Sequence, residues 1–516
     1  MSNPEVAAGG REPAGLPDGP PASLRGPKLA VLAICSLSLF LTSLDGTIVN
    51  VALPAIQQGL HARIDGLEWV VDAYLLVLAS LLLVSGSTGD RIGRRKMFGT
   101  GLLIFTAGSL LCSLSPNVQV LIAFRMVQAV GGSMLAPNSL SIITNTFTDS
   151  RERAMALGVW SGVFGVSAAC GPVLGGLLVV GIGWRSVFWV TAPVGALALV
   201  LSRRFVPESR AERWRPIDAP GQVVMAAFLA CLTYAIIEAP SSGWGSTRIL
   251  TLFALSAALL CAFCVIERRA RAPLLDLRFF RSPPFSGAVV IAVGCFFVFA
   301  GFLFLNTLYL QYARGDSALV AGVMTLPAMC IVALAAPLSG RFVARWGSRG
   351  PLAVSGGLIT VAALVLMTTT VTTPYWVLAT AYLVLGAGFG LANPPITNAA
   401  VSGMPREQAG TAGGVSSAGR QIGSVLGVAL MGALTTSRYL GGIGGALDRA
   451  GIAPAARRVL VAAGPAVVSR SSSGHHGAWG LAGRASEVAR ATFAVSAHAG
   501  WELAAVCGVV VVAAAL

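Results

Sequence analysis

Gly86-Ser87-Thr88-Gly89-Asp90-Arg91-Ile92-Gly93-Arg94-Arg95-Lys96 places one acid and four bases on a glycine-spaced segment between two apolar stretches. Upstream lie Leu75 to Ser85, and downstream the apolar run from Met97 to Leu114. Such a pattern reads as a membrane hairpin whose short, basic turn faces the cytoplasm, because positive charge is retained on that side.

The rest of the chain agrees. Of its 516 residues, 55% are apolar and only 11% charged, and the mean hydropathy is +0.77, far from soluble globular usage. A formal net charge of +15 does not indicate nucleic acid, since the bases punctuate apolar segments instead of covering a polar surface. The nine cysteines lie in apolar stretches without ligand spacing, and His475 and His476 sit in a Ser/Gly-rich loop, so neither a disulfide framework nor a metal site is expected. Residues 1–27, rich in Pro, Gly and Ala, lack a secretory cleavage pattern and read as a disordered cytoplasmic tail.

Scanning for apolar stretches of about 17 to 25 residues yields fourteen spans, from Leu29 to Val51 at one end to Thr411 to Thr435 and Ala491 to Leu516 at the other. Arginines concentrate after the even-numbered spans, including Arg151, Arg153, Arg203, Arg204, Arg268, Arg269, Arg341 and Arg345, which puts both termini in the cytoplasm. The segment from Arg438 to Arg490 falls outside and reads as a loose external loop with a short helix around Ala455 to Ala462. A second glycine-spaced basic segment runs from Gly340 to Arg349 without the acid, 254 residues after Gly86. That offset is too long for six spans with short loops and suits eight.

The spacing G-x-x-x-D-R-x-G-R-R-K resembles the signature of the major facilitator superfamily between its second and third spans. With the repeat at Gly340, the layout is similar to the fourteen-helix drug:proton antiporters. The resemblance implies an all-α polytopic fold of two six-helix bundles plus two inserted central helices. The expected divisions are a tail over 1–27, an N-terminal bundle over 28–204, an insert over 205–282 and a C-terminal bundle over 283–516 that includes the loop 438–490. It also implies that Gly86, Asp90, Arg91, Gly93, Arg94 and Arg95 form a conformational latch on the cytoplasmic edge.

Asp45 lies inside the first span, where a carboxylate costs about 2.5 to 3.5 kcal/mol on insertion scales and calls for a cavity or a partner. It is the first candidate for proton coupling, and Leu44-Asp45-Gly46-Thr47-Ile48-Val49-Asn50-Val51-Ala52-Leu53-Pro54 resembles the first-helix signature of the fourteen-helix antiporters. Arg125, with Gln128 one turn on, is a permanent charge in the fourth span. Its surroundings resemble the family's R-x-x-Q-x-x-G motif, in which the arginine is linked to proton transfer; snorkelling to the outer interface is the alternative. Gly171, Pro172, Gly175 and Gly176 form a small-residue ridge with a hinge-capable proline, and resemble the antiporter motif that separates exporters from symporters. Arg420 in the thirteenth span needs an acceptor, for which Glu502, Glu238 and Asp72 are the acids at hand. Trp69, Tyr74, Trp160, Phe164, Phe299, Phe302, Asn306, Tyr309, Asn393 and Asn398 are candidate walls of a substrate pocket, aromatic faces with a few polar groups.

These readings converge on an efflux transporter in the bacterial cytoplasmic membrane that exports bulky hydrophobic or cationic drugs in exchange for protons. A monomer in the lipid bilayer is expected, with no cofactor, no enzymatic activity and no nucleic-acid partner; the proton gradient is the energy source, since nothing resembles a P-loop. Export of an endogenous metabolite or siderophore is the alternative, and a non-transporting receptor is a more distant one.

Overall fold

A computed structural model describes residues 26–210, 218–270, 273, 275–402, 409–452 and 479–516, and contains helices but no strand among them. In order these are α1 (Pro27–Leu60), α2 (Ile64–Ile92), α3 (Arg94–Ser113), α4 (Val118–Thr146), α5 (Ser150–Gly181), α6 (Ser186–Trp189), α7 (Thr191–Phe205), α8 (Ala219–Ser242) and α9 (Thr247–Arg269). They continue with α10 (Pro283–Leu308), α11 (Ala318–Trp346), α12 (Arg349–Leu366), α13 (Tyr375–Val401), α14 (Ala409–Arg449) and α15 (Trp479–Ala515). A π-helical turn, Tyr309–Ala313, extends α10. Side-chain oxygens of Asn117, Asp218, Ser246 and Ser317 cap the starts of α4, α8, α9 and α11, satisfying amides that a helix leaves open at its first turn.

Twelve of these helices are long and apolar enough to cross a membrane, and α2, bent by 49°, makes a thirteenth. The expected thirteenth span, Thr411 to Thr435, falls in α14, which does not reach the same apolar standard. Two further expectations need correction. The segment 438–490 is not a loop throughout, because α14 runs on to Arg449 and α15 starts at Trp479; the short helix expected at 455–462 lies outside the described residues. The tail ends one residue early, since Pro27 already opens α1, a position that suits proline because the amide it lacks would have no partner there. Residues 1–25 lie outside the described residues.

The opening motif is itself mostly helix, contrary to the expected turn. α2 continues through Ile92, Gly93 alone breaks it at φ 121°, and α3 starts at Arg94. Only a residue without a Cβ adopts that backbone readily. The second copy does the same: α11 ends at Trp346, Gly347 sits at φ 75° and α12 starts at Arg349. Gly89 must also lack a side chain, because a Cβ there would collide with the carboxamide of Asn138 on α4.

Two groups of helices emerge from the packing. In the first, α1 lies against α4, α5 and α7, α2 against α4, and α3 against α4 and α7; in the second, α10 lies against α13, α14 and α15, α11 against α13, and α12 against α13 and α15. α8 and α9 pair with each other, and α8 also touches α2 and α14. The groups meet along two long seams, α5 on α11 and α2 on α14.

Candidate functional site

The first group's centre is polar. Arg125 donates from Nη1 to Asp45 Oδ2 at 2.6 Å and to Gln128 Oε1 at 2.8 Å, and from Nε to the Val70 carbonyl at 3.2 Å. Gln128 Nε2 in turn donates to Asp45 Oδ1 at 2.9 Å. Both carboxylate oxygens are thereby occupied. The guanidinium lies 4.1 Å from the Tyr74 ring centroid, and Gly132 gives the Tyr74 hydroxyl room, since a Cβ there would stand 3.0 Å from it. Asp45, Gln128 and Arg125 are buried, at 0%, 0% and 1% exposure. Arg125 therefore does not snorkel; it is held by an acid from α1 and a carbonyl from α2. Arg125 and Gln128 share one face of α4 because residues three apart are neighbours on a helix.

The ridge on α5 fits between two partners. Gly171 and Gly175 face α1, where a Cβ on Gly171 would strike the Thr47 hydroxyl and one on Gly175 would stand 2.9 Å from Ile48 Cγ1. Gly176 faces α11, with Leu319 Cα 2.5 Å from its Cβ position, and Gly322 of α11 in return abuts the Pro172 carbonyl. These small residues bring three helices to backbone contact.

On the basic motif, Asp90 pairs with Arg94 at 2.7 Å, four residues on. Glu208, which follows α7 and carries no motif of its own, accepts from the Arg95 amide at 3.1 Å and lies 3.8 Å from its Nε. Arg91 is not left without a partner either.

The expected pocket walls are spread over both helix groups. Trp69 leans on Tyr234 of α8, with ring centroids 5.8 Å apart, whereas Trp160 packs against the core around α3 and α4. Phe164 contributes its carbonyl to the Ser43 hydroxyl. Asn306 bonds to Thr325 and accepts from Tyr382, and Tyr309 donates to the Thr370 carbonyl at 2.6 Å, all inside the second group. Phe302 stands edge-on to Tyr382, and Phe299 stacks on Phe389 at 4.0 Å. Asn393 offers its carbonyl to Arg420, and Asn398 donates to Ser348. Glu502 is not the acceptor of Arg420: it takes both ends of Arg438 at 3.0 and 2.6 Å on an exposed surface, because α14 continues past the expected span end and carries Arg438 alongside α15.

Two further polar features lie at contacts between the helix groups. Glu68, four residues before Asp72 on α2, is 1% exposed and meets Gly432 of α14, whose Cβ would stand 2.6 Å from its Oε1. Glu68 Oε2 and both Asp72 oxygens are buried without a hydrogen-bond partner. The i, i+4 spacing of two acids in an apolar span was the available signal. Secondly, Gln311 donates to the Val51 carbonyl at 3.0 Å and Tyr312 to Gln57, tying the end of α10 to α1.

A bent, polar-centred helical pair of bundles is a shape shared with known proteins. The family profile described as Major Facilitator Superfamily matches residues 35–428. The chain belongs to the major facilitator superfamily. It is a multi-pass membrane protein, and this superfamily consists of transporters. Within the superfamily it is 38% identical over 434 residues to the tetracenomycin C resistance and export protein of Streptomyces glaucescens, spanning 83% of this chain and 79% of that one. It is 36% identical over 433 residues to the multidrug resistance protein Stp of Mycobacterium tuberculosis, spanning 84% and 80%. The methylenomycin A resistance protein of Streptomyces coelicolor is 35% identical over 435 residues, spanning 84% and 90%. Among solved structures, a bacterial homologue of the human lysosomal transporter Spinster, inward-facing and occupied, shares the superfamily fold. Its TM-score is 0.66 at 17% identity, over 95% of this chain and 97% of that one.

Proposed function

We propose that this member of the superfamily is a drug:proton antiporter of the bacterial cytoplasmic membrane, with both termini inside, which exports small hydrophobic drugs and thereby confers resistance. The drug-resistance and efflux relatives support the substrate class. The observation that carries the coupling is the buried Asp45, Arg125 and Gln128 cluster. A proton arriving on Asp45 removes the charge that holds Arg125, so one protonation event changes the link between α1 and α4. The guanidinium, always charged, then needs another acceptor, and that demand couples proton binding to helix movement.

Residues 28–204 and 283–516 act as the two moving bundles, with 205–282 as the inserted pair and α14 as a fourteenth span. The α5 on α11 and α2 on α14 seams are the surfaces that rock, in keeping with alternating access. A monomer suffices for this cycle. The test is reconstitution into proteoliposomes: an imposed pH gradient should drive drug accumulation, and Asp45→Asn should abolish that drive. Accumulation independent of the gradient would refute proton coupling.

A further inference from the structure

Arg420 on α14 differs from Arg125 in having no acid partner among the described residues. Among the described residues it makes no ion pair; its Nη2 donates to Thr397 Oγ1 at 2.6 Å and, at 3.5 Å, to the Asn393 carbonyl. Its Nε is buried without an acceptor. Ser416, one turn earlier on the same face of α14, is 1% exposed, and its hydroxyl is likewise unpartnered. The guanidinium carbon sits 5.5 Å from the Phe296 ring centroid. Phe296 stands edge-on to Phe389 at 5.0 Å, and Phe389 stacks on Phe299 at 4.0 Å. The cluster is open on one side, where Thr397 is exposed.

A half-buried cation with an unpaired donor next to an aromatic ring is half of a recognition site. A half-buried guanidinium seeks a carboxylate, whose two oxygens match its fork of donors, and a ring beside that carboxylate would lie against Phe296. We propose that Arg420, with Thr397 and the half-buried Phe296 ring, binds the carboxylate of an aromatic monoanion, so that the transporter accepts acidic aromatic compounds. This inference rests on the efflux reading for its physiological meaning, but it is tested at equilibrium, without a gradient.

The probes are 2-naphthoate and its neutral isostere 2-naphthamide, bound to the purified full-length protein in nanodiscs at neutral pH. The carboxylate should bind at least about tenfold more tightly than the amide, as expected for a charge-assisted pair against a neutral one. Arg420→Gln should erase that ratio and Arg420→Lys should keep part of it, since a lysine retains charge but not the fork. Equal affinities in the native protein, a ratio that survives Arg420→Gln, or displacement of naphthoate by millimolar chloride would overturn the proposal; the native measurement stands even if a variant fails to fold. Preference for the carboxylate without pH-driven transport would sink the antiport reading and leave this site in place.

Discussion

Arg125 on α4 and Asp45 on α1 meet at 2.6 Å, with side chains only 2% and 0% exposed. A pair this deeply buried owes little net stability to its Coulomb attraction, because desolvation opposes it, yet removing one partner strands the other. Arg125→Ala should therefore destabilise the protein by about 3 to 5 kcal/mol, seen as a lower thermal midpoint in detergent. Asp45→Asn combined with Arg125→Gln should recover most of that loss while remaining inactive in pH-driven transport. Recovery of transport by the double variant would show that the charges serve structure alone.

Gly176 and Gly322 sit where α5 crosses α11. A methyl group on Gly176 has no space, so Gly176→Ala should cost about 1 to 3 kcal/mol by overpacking or hold the seam apart and stop transport. Gly162→Ala, where nothing lies within 4 Å of the added Cβ, should be tolerated and gain helix propensity of up to about 1 kcal/mol. Paired transport and melting assays on the two variants separate a packing effect from a general intolerance of alanine in α5.

Glu68 and Asp72 present buried carboxylate oxygens without partners on the α2 and α14 seam. Replacing an acid by its amide removes the largest possible desolvation burden while preserving shape. Glu68→Gln should hold or raise the thermal midpoint, whereas Gly432→Ala, which drives a Cβ onto Glu68, should lower it. A marked fall with Glu68→Gln would mean that the charge itself is required in this conformation.

Tyr312 reaches Gln57 across the junction between α10 and α1. Deleting its hydroxyl in Tyr312→Phe removes one hydrogen bond, a net effect of about 0.5 to 1.5 kcal/mol, enough to change a two-state population up to about tenfold. Amide hydrogen exchange at the end of α1 and in the π-helical turn should rise in the variant. Unchanged exchange there would show that this contact does not help keep the bundles together.

Some of this could be read directly along the chain. Arg125 and Gln128 are three residues apart, so helical periodicity alone put them on one face; Gly93 and Gly347 recur at equal offset because each copy needs one backbone position that other residues resist. Other features depend on pairs far apart in sequence. Glu208 reaches Arg95 across 113 residues, and Arg438 reaches Glu502 across 64, a match hidden by the assumption that the thirteenth span ends before Arg438. The pocket candidates could not be sorted along the chain, because aromatic residues in apolar helices serve ordinary packing just as well, and nothing local distinguishes the two uses.

What the sequence determined by itself was the membrane-spanning helical fold, its repeat and its superfamily. The fold and the repeat follow from local quantities: runs of apolar residues, the side on which basic residues collect, and glycines where the backbone must turn; the superfamily follows from the resemblance of the Gly86 to Lys96 motif to a family signature. What only the tertiary structure decided was the pairing of charges. Asp45 could have faced any neighbour, and Arg125 the outer surface, until α1 and α4 packed closely enough for the acid to hold the base; the packing of α14 on α13 gives Arg420 no acid among the described residues. Desolvation makes each such outcome consequential, and its size depends on which helices exclude water together, a property that no single stretch of sequence contains.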